Sequence, residues 1–146
     1  MAAMSDYLEN KLIDHCFRGV AFTAPVALHV GLFTAAPTDT GGGTEVTGGA
    51  YGRIALAPSL TNWAATNAVA STVNPSAGTA GTTSNNVVVT FATPTLTWGT
   101  VTAFGVFDAA TAGNLLWYGT LTTSKTINVS DLVTFPAAAL SIQIDN

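Results

Sequence analysis

The chain has 146 residues, the length of one domain, and 48% of them are hydrophobic while only 8% are charged. Four Lys and Arg stand against eight Asp and Glu, a net charge of -4, too few cations for a nucleic-acid-binding stripe. Too apolar for charge-driven disorder, the chain has a single cysteine, Cys16, which rules out a disulfide framework, and no apolar run reaches the roughly 18 residues that would cross a bilayer.

The first ten residues lack a basic stretch, and Asp6, Glu9, Lys11 and Asp14 interrupt any apolar run there. No signal peptide is expected, and synthesis in the cytoplasm is. Residues 5–18 are predicted to form the one helix. Ser5 is a good N-cap, Asp6 and Glu9 suit the positive end of the helix dipole, and Arg18 followed by Gly19 closes it. Leu8, Leu12, Ile13, Cys16 and Phe17 recur at helical spacing and form one apolar stripe. A helix this short is marginal in water, so the stripe must dock either on the chain's own sheet or on a neighbouring subunit. Cys16 on that stripe is expected to pack as a small hydrophobe.

After Gly19 the period becomes two. Val26, Leu28, Val30 and Leu32 alternate with Ala27, His29, Gly31 and Phe33, and the apolar Phe33 predicts that this strand is covered on both faces for part of its length. The segment 36–49, with Pro37 and three consecutive glycines, reads as a long loop without regular structure. Tyr51–Leu56 resumes as a strand, with Leu60–Trp63 as a possible extension, and Ala68–Val73 is a weak strand or loop. A second long loop spans 74–86. Four firmer strands follow, Val87–Phe91, Val101–Phe107, Leu115–Leu121 and Leu140–Ile144, with Thr126–Val129 a shorter fifth. Asp108–Asn114 has the length and the glycine of a hairpin loop. In the last strand Leu140, Ile142 and Ile144 alternate with Ser141, Gln143 and Asp145, the pattern of a half-buried antiparallel strand. The expected fold is mainly β, an antiparallel sandwich or small barrel with one N-terminal α-helix. It is read as a single domain over 1–146, with the helix at about 5–18 and the β domain at about 25–146.

Catalytic chemistry is thin. A Cys–His pair would need Cys16 with His15 or His29, and His15 is the helical neighbour that faces elsewhere. No Gly-x-Ser-x-Gly elbow, Walker loop or zinc-ligand spacing is present. Asp39 and Glu45 could lend oxygens to calcium but lack the dense acidic pattern of a calcium loop, so they read as a pair of solvated loop acids. Asp108 reads as an Asx-turn residue rather than a general base. Trp63, Trp98, Trp117, Tyr51, Tyr118 and Phe104 could line a sugar-stacking platform, though aromatics in an alternating β pattern more often build the core. Of these, Trp98 is expected at a sheet edge or interface. No enzyme activity, cofactor or metal is expected.

Several strings carry a resemblance. They are Met4-Ser-Asp-Tyr-Leu-Glu-Asn-Lys-Leu-Ile-Asp-His15, Leu32-Phe-Thr-Ala-Ala-Pro-Thr-Asp-Thr40 with the Gly-rich run to Tyr51, Trp98 to Gly119, and Thr122 to Asn128. Together they resemble a family of small tailed-phage and prophage proteins labelled phage tail fibre or virion structural protein. The resemblance implies a virion component, on head or tail, assembled in the host cytoplasm. The sequence shows no repeat or heptad for a shaft. An exterior accessory unit on capsid (decoration or cement) or tail (fibre- or baseplate-associated) is therefore expected, stabilising the particle by interface burial. The expected partners are other virion proteins, major capsid or tail proteins, and further copies of the chain, with no nucleic acid and no membrane. The alternative is a host-receptor or glycan-binding module built on loops 36–49 and 74–86. Leu8, Leu12, Ile13, Phe17 and Trp98 are the candidate interface residues.

Overall fold

The computed structural model describes residues 2–66, 70–78 and 80–144. A short strand β1 (Ala2–Met4) runs into helix α1 (Asp6–Phe17), and the rest of the regular structure is β. The strands are β2 (Leu28–Ala35), β3 (Thr44–Glu45), β4 (Ile54–Leu56), β5 (Thr82–Ser84), β6 (Val89–Thr90), β7 (Gly99–Phe107), β8 (Leu115–Ile127), β9 (Thr134–Phe135) and β10 (Ser141–Gln143).

Three strands with clear apolar alternation, β2, β7 and β8, make the centre of an open antiparallel sheet of order β1-β8-β7-β2-β3, with β4 also paired to β2. The two-stranded pairs β5–β10 and β6–β9 complete the fold. Because side chains alternate across a strand, Val30, Leu32, Val101, Phe104, Val106 and Ile127 meet Val89, Phe91, Leu140 and Ile142 in the main core. Phe33, Ala103, Phe107 and Leu115 form a smaller cluster. Both faces of β2 are therefore buried over part of its length, as Phe33 predicted.

The sheet does not close, so the sandwich-like alternative holds and the barrel does not. Other boundaries moved. Val26 lies outside β2 and is exposed. The predicted strands Leu115–Leu121 and Thr126–Val129 are one strand, β8, with an irregularity inside it. Ala103 of β7 pairs with Thr120 and Val101 with Lys125, so residues 121–124 bulge opposite Thr102 alone. Leu60–Trp63 does not extend a strand, although Trp63 makes an isolated bridge to Asn85. Part of the expected segment Ala68–Val73, and Asp145 of the last alternation, lie outside the described residues. Leu140 and Ile142 are buried as the alternation required, whereas Ile144 is exposed.

The two long loops contain short strands. Thr44–Glu45 pairs with β2, and Thr82–Ser84 pairs with β10. Asn85 follows β5 and is fully enclosed. Its amide nitrogen donates to the carbonyls of Val87 and Pro136, both at 2.8 Å, and its side-chain oxygen accepts the Leu140 N–H at 2.8 Å. One polar side chain thus holds three separate stretches of backbone together.

Candidate interaction surface

The helix is fastened by its first turn. Ser5 is buried, its N–H donates to the Leu116 carbonyl at 2.9 Å, and its hydroxyl donates to the Leu115 carbonyl while accepting the Leu8 N–H. The Asp6 N–H reaches the Asp39 carbonyl at 3.0 Å. Leu8, 2% exposed, is the buried residue of the helix, and Leu12 is half-buried. At the other end, Gly19 adopts φ +70°, the Val20 N–H turns back to the Asp14 carbonyl, and the Phe22 N–H donates to His15 Nδ1.

The apolar stripe is therefore divided. At 100° per residue, Leu8, Leu12 and Cys16 follow one another at steps of about 40° along one side, and Ile13 and Phe17 turn away from Leu8 and Leu12. Ile13 is 51% exposed, Phe17 is 84% exposed, and Cys16 is exposed as well. Cys16 is thus not a core residue, which corrects the sequence expectation. The docking contact begins at Ser5 and is confined to the first turns, so burial falls along one side of the helix from Leu8 through half-buried Leu12 to exposed Cys16, while Ile13 and Phe17 lie on the other side of the stripe. Val20, just past the helix end, is exposed as well.

Trp98 requires the opposite correction. It is 5% exposed and lies in the main core, where its indole N–H donates to the Gly49 carbonyl at 3.0 Å. Tyr51 meets it edge-on at 5.3 Å between ring centroids, and Phe91 at 6.4 Å. Gly49, with φ +55° and packed against Leu96, brings the loop backbone close enough to accept that bond. Phe104 and Phe91 both pack edge-on against Phe135. Trp63, Trp117 and Tyr51 pack against the same core, and Tyr118 against the smaller cluster. The aromatic set is core packing.

Asp39 is exposed, as a solvated loop acid should be, but Glu45 is not one. Glu45 takes both ends of the Arg53 guanidinium, Nε to Oε1 at 2.8 Å and Nη2 to Oε2 at 2.7 Å, while Arg53 Nη1 donates to the carbonyls of Ala109 and Ala112. The guanidinium lies 3.3 Å over the Phe107 ring. The Tyr51 hydroxyl donates to Glu45 Oε1 and accepts the Leu32 N–H, and burial pushes the Tyr51 phenol well above its ordinary range. Gly31 leaves the room for this cluster, since a Cβ there would stand 2.9 Å from Glu45 Oε1. The sequence signal was present: in a chain this poor in charge, an acid and an arginine eight positions apart flank a tyrosine at the start of a predicted strand.

Asp39 pairs with Tyr118, whose hydroxyl donates to its Oδ1. That bond, reinforced by burial and by the charges of Asp39, Asp6 and Glu9, raises the phenol from 10.0 to about 12. The folded chain thus holds Tyr118 neutral above the pH at which an unfolded tyrosine ionises. The stability from this clasp is complete below pH 10 and is lost as pH rises through about 12. Tyr118→Phe is expected to cost about 1 kcal/mol at neutral pH and to flatten the alkaline limb of the melting curve over that window. Thermal scans across pH on both proteins check it. Asp108 closes its hairpin loop from one side to the other, accepting the Asn114 N–H at 2.7 Å and the Asn114 side-chain amide at 2.7 Å, six positions on rather than the two of an Asx turn.

Among the described residues no group of three His, Cys, Asp or Glu could hold a metal ion, and no helix is long and apolar enough to cross a membrane. The outer surface carries apolar side chains instead, among them Phe17 and Ile13 on the helix.

Compared with known protein families, the chain matches the model described as Podophage GP4 fiber I protein gp80 over residues 3–143. The chain belongs to this phage tail fibre family. The match covers the helix, the central sheet and both long loops, so the family assignment rests on the whole fold rather than on one motif. No curated protein matches the chain. Membership of a tail fibre family makes this a virion-associated structural protein that works beside other virion proteins.

Proposed function

We propose that the chain is a non-enzymatic subunit of the tail fibre apparatus that adds stability to the particle by burying the outward face of its N-terminal helix against a neighbouring tail subunit. The observation that carries this reading is the split stripe: Phe17 and Ile13 stand in solvent on a helix already fixed by Ser5 and Leu8. A large aromatic held on a well-anchored helix loses little conformational freedom on binding, which favours it as an interface anchor. Leu12, at the margin of the docked side, would be covered further in the same contact. The low surface charge agrees, since interface cores are depleted of charged residues.

Phage carrying Phe17→Ser together with Ile13→Asn test it. Both side chains are exposed, so the isolated variant is expected to melt within about 0.5 kcal/mol of the parent. Copies per particle, counted by quantitative mass spectrometry of purified virions, are expected to fall several-fold. Wild-type copy numbers in the variant phage would refute the proposal.

A further inference from the structure

A second feature lies at the far end of β8 from the helix. The bulge at 121–124 opens the sandwich there, leaving a groove of about 270 Å³ between the end of β8 and the segment 132–135. Its floor is the main core itself, with Leu32, Val101, Ile127 and Val133, and its lining includes Leu132, 73% exposed, and Lys125. Of the four Lys and Arg residues, Arg53 is locked to Glu45, Arg18 pairs with Asp14 and Lys11 lies over the Tyr7 ring. The Lys125 side chain has no hydrogen bond or ion pair among the described residues.

We infer that this groove receives the helix face of a second copy of the chain. The two surfaces are both apolar and carry opposite charges. The helix offers an apolar knob, Phe17 with Ile13, and the groove offers an apolar hole. On the same helix face, one and two turns before Ile13, stand the exposed acids Glu9 and Asp6, and the groove carries the unpaired Lys125. Helix and groove sit at opposite ends of β8, because α1 is bonded to Leu115 and Leu116 while the groove is lined by residues from Leu121 onward. One copy therefore presents a knob at one end and a hole at the other. Such a contact is heterologous: it joins copies head to tail, into a closed ring or an open row, and does not pair two helices about a twofold axis. This rests on the proposed role of the helix face and names its partner.

Sedimentation velocity of the full chain over a concentration series tests it, with Phe17→Asp as the helix-dead variant and Lys125→Glu as the groove-dead one. Both positions are exposed, and unchanged melting temperatures confirm that each variant folds. The parent is expected to sediment faster as concentration rises, and each variant alone is expected to lose that rise. Mixing the two variants is expected to restore a dimer and nothing larger, because each supplies the half-site the other lacks. A parent that stays monomeric throughout, or a mixture that stays monomeric, would overturn the inference. If the parent is monomeric yet the Phe17 variant phage lose copies of the protein, the helix face meets a different tail protein and the proposed function stands without this partner.

Discussion

Asn85→Ala is expected to cost roughly 3–5 kcal/mol of unfolding free energy, at about 1–3 kcal/mol for each buried polar group left without a partner. The side chain is 0% exposed, so water does not reach the groups it leaves behind. Three lose their bonds at once: the Leu140 N–H and the carbonyls of Val87 and Pro136. These belong to the segments that carry β6, β9 and β10, the thin layer that covers the main core. Asn86→Ala is the natural control. Asn86 is half-buried and its side chain bonds the Ala70 N–H and the Leu60 carbonyl in an exposed loop, so its loss is expected to stay near 1 kcal/mol. Urea titrations of the two variants check the contrast. Equal costs would mean that Asn85 is not the pin the geometry makes it.

Arg53→Met is expected to cost roughly 2–4 kcal/mol, somewhat under the 3–5 kcal/mol of breaking a fully buried ion pair, because the Glu45 side chain keeps 24% of its exposure. The methionine retains apolar contact with Phe107 but leaves the Glu45 carboxylate with Tyr51 as its remaining partner, and frees the carbonyls of Ala109 and Ala112. Adding Glu45→Gln removes the stranded charge, so the double variant is expected to regain part of the loss. Chemical denaturation of the parent, both single variants and the double closes the cycle. A double variant that loses the sum of the two single losses would show that the two side chains act independently.

The elements legible in the sequence are those whose signals are local. Ser5, Asp6 and Gly19 bracket the helix by capping and dipole chemistry, and α1 begins and ends within a residue of that reading. The long strands β2, β7 and β8 show their period over enough residues to be read, and Phe33 correctly announced a second covered face. The strands that were missed are two or three residues long. β1, β5 and β9 exist through partners at Gly119, Ile142 and Val89, all distant in sequence, and β3 depends on Phe33 and Ala35 across a glycine-rich turn. No window of two residues carries a period.

The helix shows the same division. The sequence by itself determined that the N-terminal segment is a helix with one apolar stripe that needs a docking partner, in a chain with only 8% charged residues. Which part of the stripe is covered was decided by tertiary structure, because Ser5 docks on Leu115 and Leu116 and sets the rotation of the helix about its axis. That rotation buries Leu8 and turns Ile13 and Phe17 outward, and Cys16, two turns beyond Leu8, lies past the docked part of the helix. Trp98 went inward for a related reason. Its neighbours Leu96 and Gly99 suggest a sheet edge, but the carbonyl that satisfies its indole N–H belongs to Gly49, and only the folded chain brings that backbone to it.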